Sequence, residues 1–221
     1  MQHSFATVLF VGVAGLGRMA GKTKGKAKSP AISGWWVEVA RMPKTLMSWP
    51  AWSDPEPPAP AKTLRPRDEL LSVAAETTEV VIPLGTKEGF GIQGAQLRLN
   101  AWAYRRMHEA TATLEIAGGR SFVTIARVDA WPADPHMNGL ARKYPKLRTV
   151  PPIVDGSHVH RFRDNARIGS KAFLPLFNLP IAVPVAEPLT SFRGFLRTVA
   201  QEFVIVGLED FDPPPWQENL I

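Results

Sequence analysis

Two histidines stand one residue apart in GSHVHRF (156–162), and neither a cysteine nor another histidine follows them in a chain of 221 residues. If SHVHRFR (157–163) is a strand, period-two alternation puts His158, His160 and Phe162 on one face and Val159, Arg161 and Arg163 on the other. Neighbouring imidazoles support two chemistries. One is acid/base catalysis, because histidine titrates near neutral pH and one ring can take a proton while its charged neighbour stabilises an anionic transition state. His136, in the segment leading to the pair, adds a third ring. Arg127, Arg161 and Arg163 supply forks for phosphate oxygens, with Asp129, Asn138 and Asp164 in support. This set suits metal-independent cleavage of RNA, where the 2′-hydroxyl is the nucleophile and the protein moves protons and stabilises charge. It calls for no cofactor and no metal, and it is the favoured reading.

The other chemistry is chelation, which would recruit His136, Asp129 or His108 to a nitrogen/oxygen site with open positions. The run His158-x-His160-x-x-x-Asp164 resembles the first motif of cupin barrels, but their second motif needs a histidine that this chain lacks after His160. A structural role, with each ring nitrogen satisfied inside a core, is the third possibility. Phosphate-binding glycine loops, the G-x-S-x-G elbow and the H-E-x-x-H zinc motif are absent.

The elements that must position these residues are readable from residue 68 onward. RDELLSVAAETTE (67–79) suggests a short helix. EVVIPLG (79–85) and GIQGAQLRLNAWAY (91–104) are β-branched or alternating and read as strands. EATATLEIAGGRSFVTIARVDAW (109–131) is a hairpin centred on Gly118-Gly119, and alternation along its second arm places Val123, Ile125, Arg127 and Asp129 on one face. Residues 132–156 carry prolines and glycines without periodicity and read as a long ordered loop ending in an Asp155-Gly156 turn. KAFLPLFNLPIAVPVA (171–186) is broken by prolines, so it fits an edge segment. TSFRGFLRTVAQEFVIV (190–206) has Thr190 or Ser191 as N-cap and Phe192, Phe195, Leu196, Val199 and Phe203 at helical spacing, which predicts a C-terminal helix covering a sheet.

Charge divides the chain. Residues 1–67 carry +7 and residues 68–221 carry −1. The basic stretch GKTKGKAKSP (21–30) reads as a mobile arm that either meets phosphate backbones through salt-sensitive contacts or is solvated. Four of the seven tryptophans lie at 35–52, beside a proline-rich linker (53–67); they form a docking patch or pack back as an N-terminal extension. The apolar stretch at 5–17 is too short to cross a bilayer, and Met19 offers an alternative start. The absence of cysteine excludes disulfides and thiolate chemistry and fits a cytoplasmic protein.

FVTIARVDAWPADPHMN together with GSHVHRFRDNARIGSKAF resembles an uncharacterised family of small bacterial and phage proteins. Its pattern is a strand ending in Arg and Asp (Arg127, Asp129), a Pro-His-x-Asn element (Pro135, His136, Asn138), a His-x-His strand with an aromatic and an acidic residue (His158, His160, Phe162, Asp164), and a closing helix at 191–204. The similarity covers about residues 95–205. Gly139 stands where the family has proline, and Asp164 where it has glutamate. The resemblance implies a setting of phage–host or mobile-element conflict and carries no established activity.

These readings give an α+β domain at 68–209, an antiparallel sheet covered by a C-terminal helix, with an irregular arm (1–67) and an exposed tail (210–221). The expected function is action on nucleic acid, RNA foremost, as a small ribonuclease. The alternative is a non-enzymatic inhibitor or adaptor bound to a nucleic-acid-handling complex. No membrane partner is expected.

Overall fold

The computed structural model describes residues 32–55, 77–119 and 121–216. Its centre is the meander expected from the alternating segments: β2 (Thr77–Gly85), β3 (Gly91–Trp102), β4 (Ala110–Ala117) and β5 (Phe122–Ala130). One face of each strand is apolar, with Val80, Ile82, Leu97, Leu99, Ala112, Leu114 and Val128 all buried. The helix α3 (Phe192–Phe203) packs on that face through Phe192, Phe195, Leu196, Val199 and Phe203. Ser191 is its N-cap, and its hydroxyl accepts the Gly194 N–H at 3.0 Å. The chain is therefore α+β, a mostly antiparallel sheet with a C-terminal helix against it. Among the described residues no helix is long and apolar enough to cross a membrane.

The eight-stranded sheet runs β10-β1-β2-β3-β4-β5-β8-β9, with β8 at His158–His160, β9 at Val183–Pro184, β1 at Lys44–Leu46 and β10 at Ile205–Val206. Among the described residues only β1 and β10 pair in parallel. β9 lies at one end of the sheet, as the prolines of 171–186 require. Residues 132–156 form an ordered excursion with a small ribbon of β6 (His136–Met137) and β7 (Ile153–Val154).

Several expectations need correction. Residues 67–76 of the expected helix lie outside the described residues, as do the basic stretch 21–30 and the stretch 5–17, while 77–79 open β2 instead. The hairpin turn lies one residue later than the Gly118-Gly119 centre, because Gly118 N–H bonds Ser121 O and Gly119 carries φ 85°. The arm is regular over part of its length: α1 (Gly34–Arg41) and β1 belong to the domain. Two of its tryptophans pack back onto it, Trp36 edge-on to Phe173 and Trp52 edge-on to Phe192, whereas Trp35 and Trp49 are exposed. Nor do residues 211–216 project freely, for Phe211 is buried under Trp49 and Trp52, and Trp216 sits edge-on to Phe192.

The N-terminal extension is anchored by a buried lysine. Val39 would pass its carbonyl to residue 43 in a continuing helix, but Pro43 has no N–H. Lys44 Nζ substitutes, donating to Val39 O and Met42 O at 2.7 Å each. Burial pushes the Lys44 ammonium down to about 8. Between about 8 and the ordinary value of 10.5 the unfolded chain holds the proton more often than the folded one, so stability rises with pH through that window. The stability difference between wild type and Lys44→Met should shift in favour of wild type by about 3 kcal/mol from pH 7 to 11, measured by urea unfolding at each pH.

Candidate metal centre

A bulge decides which side chains reach the site. In the β4–β5 ladder Leu114 pairs with Ala126 and Glu115 with Thr124, so Ile125 is an extra residue. An inserted residue reverses the alternation beyond it. Val123 and Ile125 therefore face the core, whereas Arg127 and Asp129 emerge on the opposite, polar face; the shared face expected for all four is corrected. β8 then pairs Asp129 with His158 and Arg127 with His160, setting both imidazoles on the polar face beside the carboxylate. His136, from the 132–156 excursion, closes over them. Its ring centroid lies 5.2 Å from that of His158 and 4.7 Å from that of His160, and the latter two are 5.1 Å apart.

Each ring is oriented by one backbone carbonyl. His158 Nδ1 meets Gly156 O at 2.8 Å, His160 Nδ1 meets Leu179 O at 2.5 Å, and His136 Nε2 meets Pro180 O at 3.2 Å. A carbonyl only accepts, so each of these nitrogens carries the proton. The neutral form of each ring then keeps a lone pair on its other nitrogen. The first carbonyl is presented by Gly156, whose φ of 69° suits the left-handed turn expected there.

Two buried asparagines hold the chain that carries the other two carbonyls. Asn138 Nδ2 donates to Pro151 O and Ala182 O at 2.7 and 2.8 Å, and its Oδ1 accepts from Ala182 N at 2.8 Å. Asn165 Nδ2 donates to Arg161 O and Ile181 O at 3.1 and 2.9 Å, while its Oδ1 accepts from Ile181 N at 3.0 Å. These amides pin consecutive residues 181 and 182, immediately after Leu179 and Pro180. Asn165 was not singled out from the sequence; an asparagine beside an acidic residue in RDNAR carried no signal of burial.

Asp129 Oδ2 lies 3.1 Å from His158 Nε2 and 3.0 Å from His160 Nε2, and accepts from Arg127 Nε at 2.9 Å. Its Oδ1 accepts from the Thr111 hydroxyl at 3.1 Å. Arg127 Nη2 also reaches His160 Nε2 at 2.8 Å. Burial opposes ionisation of Asp129, but the Arg127 charge, joined by His158 and His160 whenever either carries a proton on Nε2, outweighs it and holds the carboxyl well below the usual range. Burial pushes His160 down to about 4 and lowers His136 as well. His160 is thus a neutral ring at pH 7.

The remaining expected site residues go elsewhere. β8 ends at His160, and α2 (Phe162–Ala166) turns the chain away. Arg161 forms a two-point ion pair with Glu202, including an Arg161 Nε–Glu202 Oε2 bond of 2.8 Å. Arg163 is mostly exposed, 3.8 Å from Asp164, which also faces Arg167 at 3.7 Å. Arg161 and Arg163 line a separate cavity of about 510 Å³ with Leu114 and Val159, on the helical side of the sheet. Neither these arginines nor Asp164 are brought to the imidazoles, and His108 packs edge-on to Trp102. Among the described residues no phosphate fork is assembled at the histidines beyond Arg127, which is already engaged.

His136, His158 and His160 each offer one nitrogen, all within 4.8 Å of one another. Zinc–nitrogen distances of about 2 Å put tetrahedral ligand nitrogens about 3.3 Å apart, so ring movements of about an ångström would enclose an ion. No protein-family model, curated protein or solved structure matches the chain.

Proposed function

We propose that the chain is a metal-dependent hydrolase whose ion is held by His136, His158 and His160, with Asp129 as the adjoining carboxylate. One observation carries this reading: three backbone carbonyls each fix a ring so that its second nitrogen keeps a lone pair for the cluster. A carbonyl partner on the distal nitrogen is how metal-bound histidines are oriented and their basicity raised. Neutral His160 against ionised Asp129 also leaves an acceptor facing an acceptor, which a cation relieves. Arg127 supplies part of that charge, and an ion ligated by His160 replaces the Arg127–His160 hydrogen bond. Imidazoles with one carboxylate suit zinc, iron, nickel or copper, and a divalent ion there would lower the pKa of a bound water toward neutrality. The protein's part is to hold the three rings, to anchor the carboxylate through Arg127 and Thr111, and to leave an approach along the polar face. The acid/base scheme has less support, because the rings are largely buried and their protons are directed to carbonyls.

The test is titration of chelator-treated protein with Co(II) and Zn(II). One equivalent should bind, produce a Co(II) visible spectrum of nitrogen/oxygen ligation, and stabilise the fold by about 3 kcal/mol at a hundredfold excess over Kd. Absence of stoichiometric binding overturns the proposal. RNA cleavage that survives EDTA but is lost in His158→Ala/His160→Ala would return the site to metal-free proton transfer.

A second reading rests on the +7 charge of residues 1–67: attachment to nucleic acid, or to a complex that handles it, in the phage–host setting that the family resemblance implies. Such binding should be blind to sequence and weaken steeply between about 50 and 200 mM salt, and it should vanish when residues 1–31 are removed.

A further inference from the structure

The polar face of the sheet carries a trough that ends at the histidine centre. It follows one cross-strand row, in which Asn100 on β3 pairs with Thr111 on β4, Thr111 with Asp129 on β5, and Asp129 with His158 on β8. Thr77 and Trp102, themselves paired, and Glu109 complete a cavity of about 310 Å³, within the range of small-molecule sites.

The lining has a definite chemistry. It offers two carboxylates, an amide, two threonine hydroxyls and an indole, and no lysine or arginine is part of it. The adjacent row does contain Arg98 and Arg127, but both are neutralised. Arg98 is shared between Glu79 and Glu115 at 2.6 and 3.1 Å, and Arg127 is held by Asp129. A phosphate in this trough would face Asp129 and Glu109, and like-charge juxtaposition opposes binding; the exposed Arg105 guanidinium, outside the lining, lies over the Trp102 ring at 5.2 Å. Hydroxyl groups are the complementary partner. Carboxylates take ribose hydroxyls in dinucleotide sites for the same reason, as acceptors to paired donors. Glu109 holds the Trp102 indole N–H at 2.9 Å and Asp129 the Thr111 hydroxyl, and a carboxylate has further lone pairs beyond these. Asn100 and Thr77 make no side-chain hydrogen bond among the described residues, which leaves both free for a ligand.

We infer that the trough binds an uncharged, hydroxyl-rich ligand, a sugar unit, and delivers the bond to be hydrolysed to its Asp129–His158 end. The inference rests on the hydrolytic reading of the centre for its second half only; sugar binding stands on the trough.

The experiment is calorimetric titration of the full chain with the β-linked tetramers of glucose, N-acetylglucosamine and xylose, alongside oligo(A) RNA of similar length. At least one tetrasaccharide should bind saturably in the millimolar range or tighter. Asn100→Leu, which touches no metal ligand, should weaken that binding roughly tenfold, the worth of one lost hydrogen-bonding pair, while Co(II) binding and its spectrum stay unchanged. Failure of all three sugars to bind overturns the inference, as does sugar binding indifferent to Asn100→Leu. RNA binding that is lost in Asn100→Leu overturns it in favour of a nucleic-acid trough. Metal binding without sugar binding removes the inference and leaves the metal centre; sugar binding without metal does the reverse.

Discussion

Replacing His160 with alanine should abolish stoichiometric metal binding and, in chelator-treated protein, lower stability by about 3 kcal/mol. The ring is fully buried, so its removal opens a cavity that the two asparagine-pinned segments around it cannot readily close. Leu179 O loses its donor, and Arg127 Nη2 loses its acceptor. Two rings and a carboxylate remain, and the affinity for Zn(II) should fall by more than about a hundredfold, since even outer partners of metal ligands are worth 10–100-fold. The two effects separate cleanly: urea unfolding with chelator reads the packing loss, and competition against a colorimetric zinc chelator reads the affinity. An unchanged zinc affinity in His160→Ala would remove this ring from the centre.

The second large effect is expected at Asn138, which touches no metal. Asn138→Leu keeps nearly the same volume but deletes three buried hydrogen bonds, to Pro151 O, Ala182 O and Ala182 N. Each backbone group left unsatisfied costs about 1–3 kcal/mol, so a loss of about 4 kcal/mol is expected, enough to bring a domain of ordinary stability close to its threshold. At temperatures where the variant remains folded, zinc affinity should drop about tenfold or more, because residue 182 follows the Leu179 and Pro180 carbonyls that orient His160 and His136, and Asn138 itself follows β6. Asn165→Leu provides the comparison. It breaks the matching pair at Ile181 and should give a similar loss. A stability loss at Asn138 with unaltered zinc affinity would show that the amide supports the fold without positioning the rings.

The parts of the fold legible in advance were those with a local period. β3 alternates from Ala95 to Trp102 and β4 alternates in residue type along its length, and α3 repeats its apolar residues at helical spacing after a serine cap, so strand and helix could be read from windows of ten or so residues. Proline density at 171–186 correctly forecast a strand at the end of the sheet, since each proline removes a ladder donor. Two features were illegible for a common reason. The bulge at Ile125 is a mismatch between two strands and has no signature within either one. The packing of Trp36 and Trp52 onto the domain depends on Phe173 and Phe192, far along the chain; composition favours packing back over a docking patch but names no partner ring.

By itself the sequence determined that His158 and His160 share a face, because β alternation is a property of the backbone that needs no partner. It determined also that thiolates have no role. Which residues join that pair was decided only by tertiary structure. The bulge turned Arg127 and Asp129 toward the rings, Glu202 on α3 engaged Arg161 on the face where alternation had already placed it, and the carbonyl of neighbouring Gly156 with those of distant Leu179 and Pro180 chose which ring nitrogen holds the proton. Those choices depend on register, on side-chain burial and on hydrogen bonds between segments up to 44 residues apart, none of which a local pattern encodes.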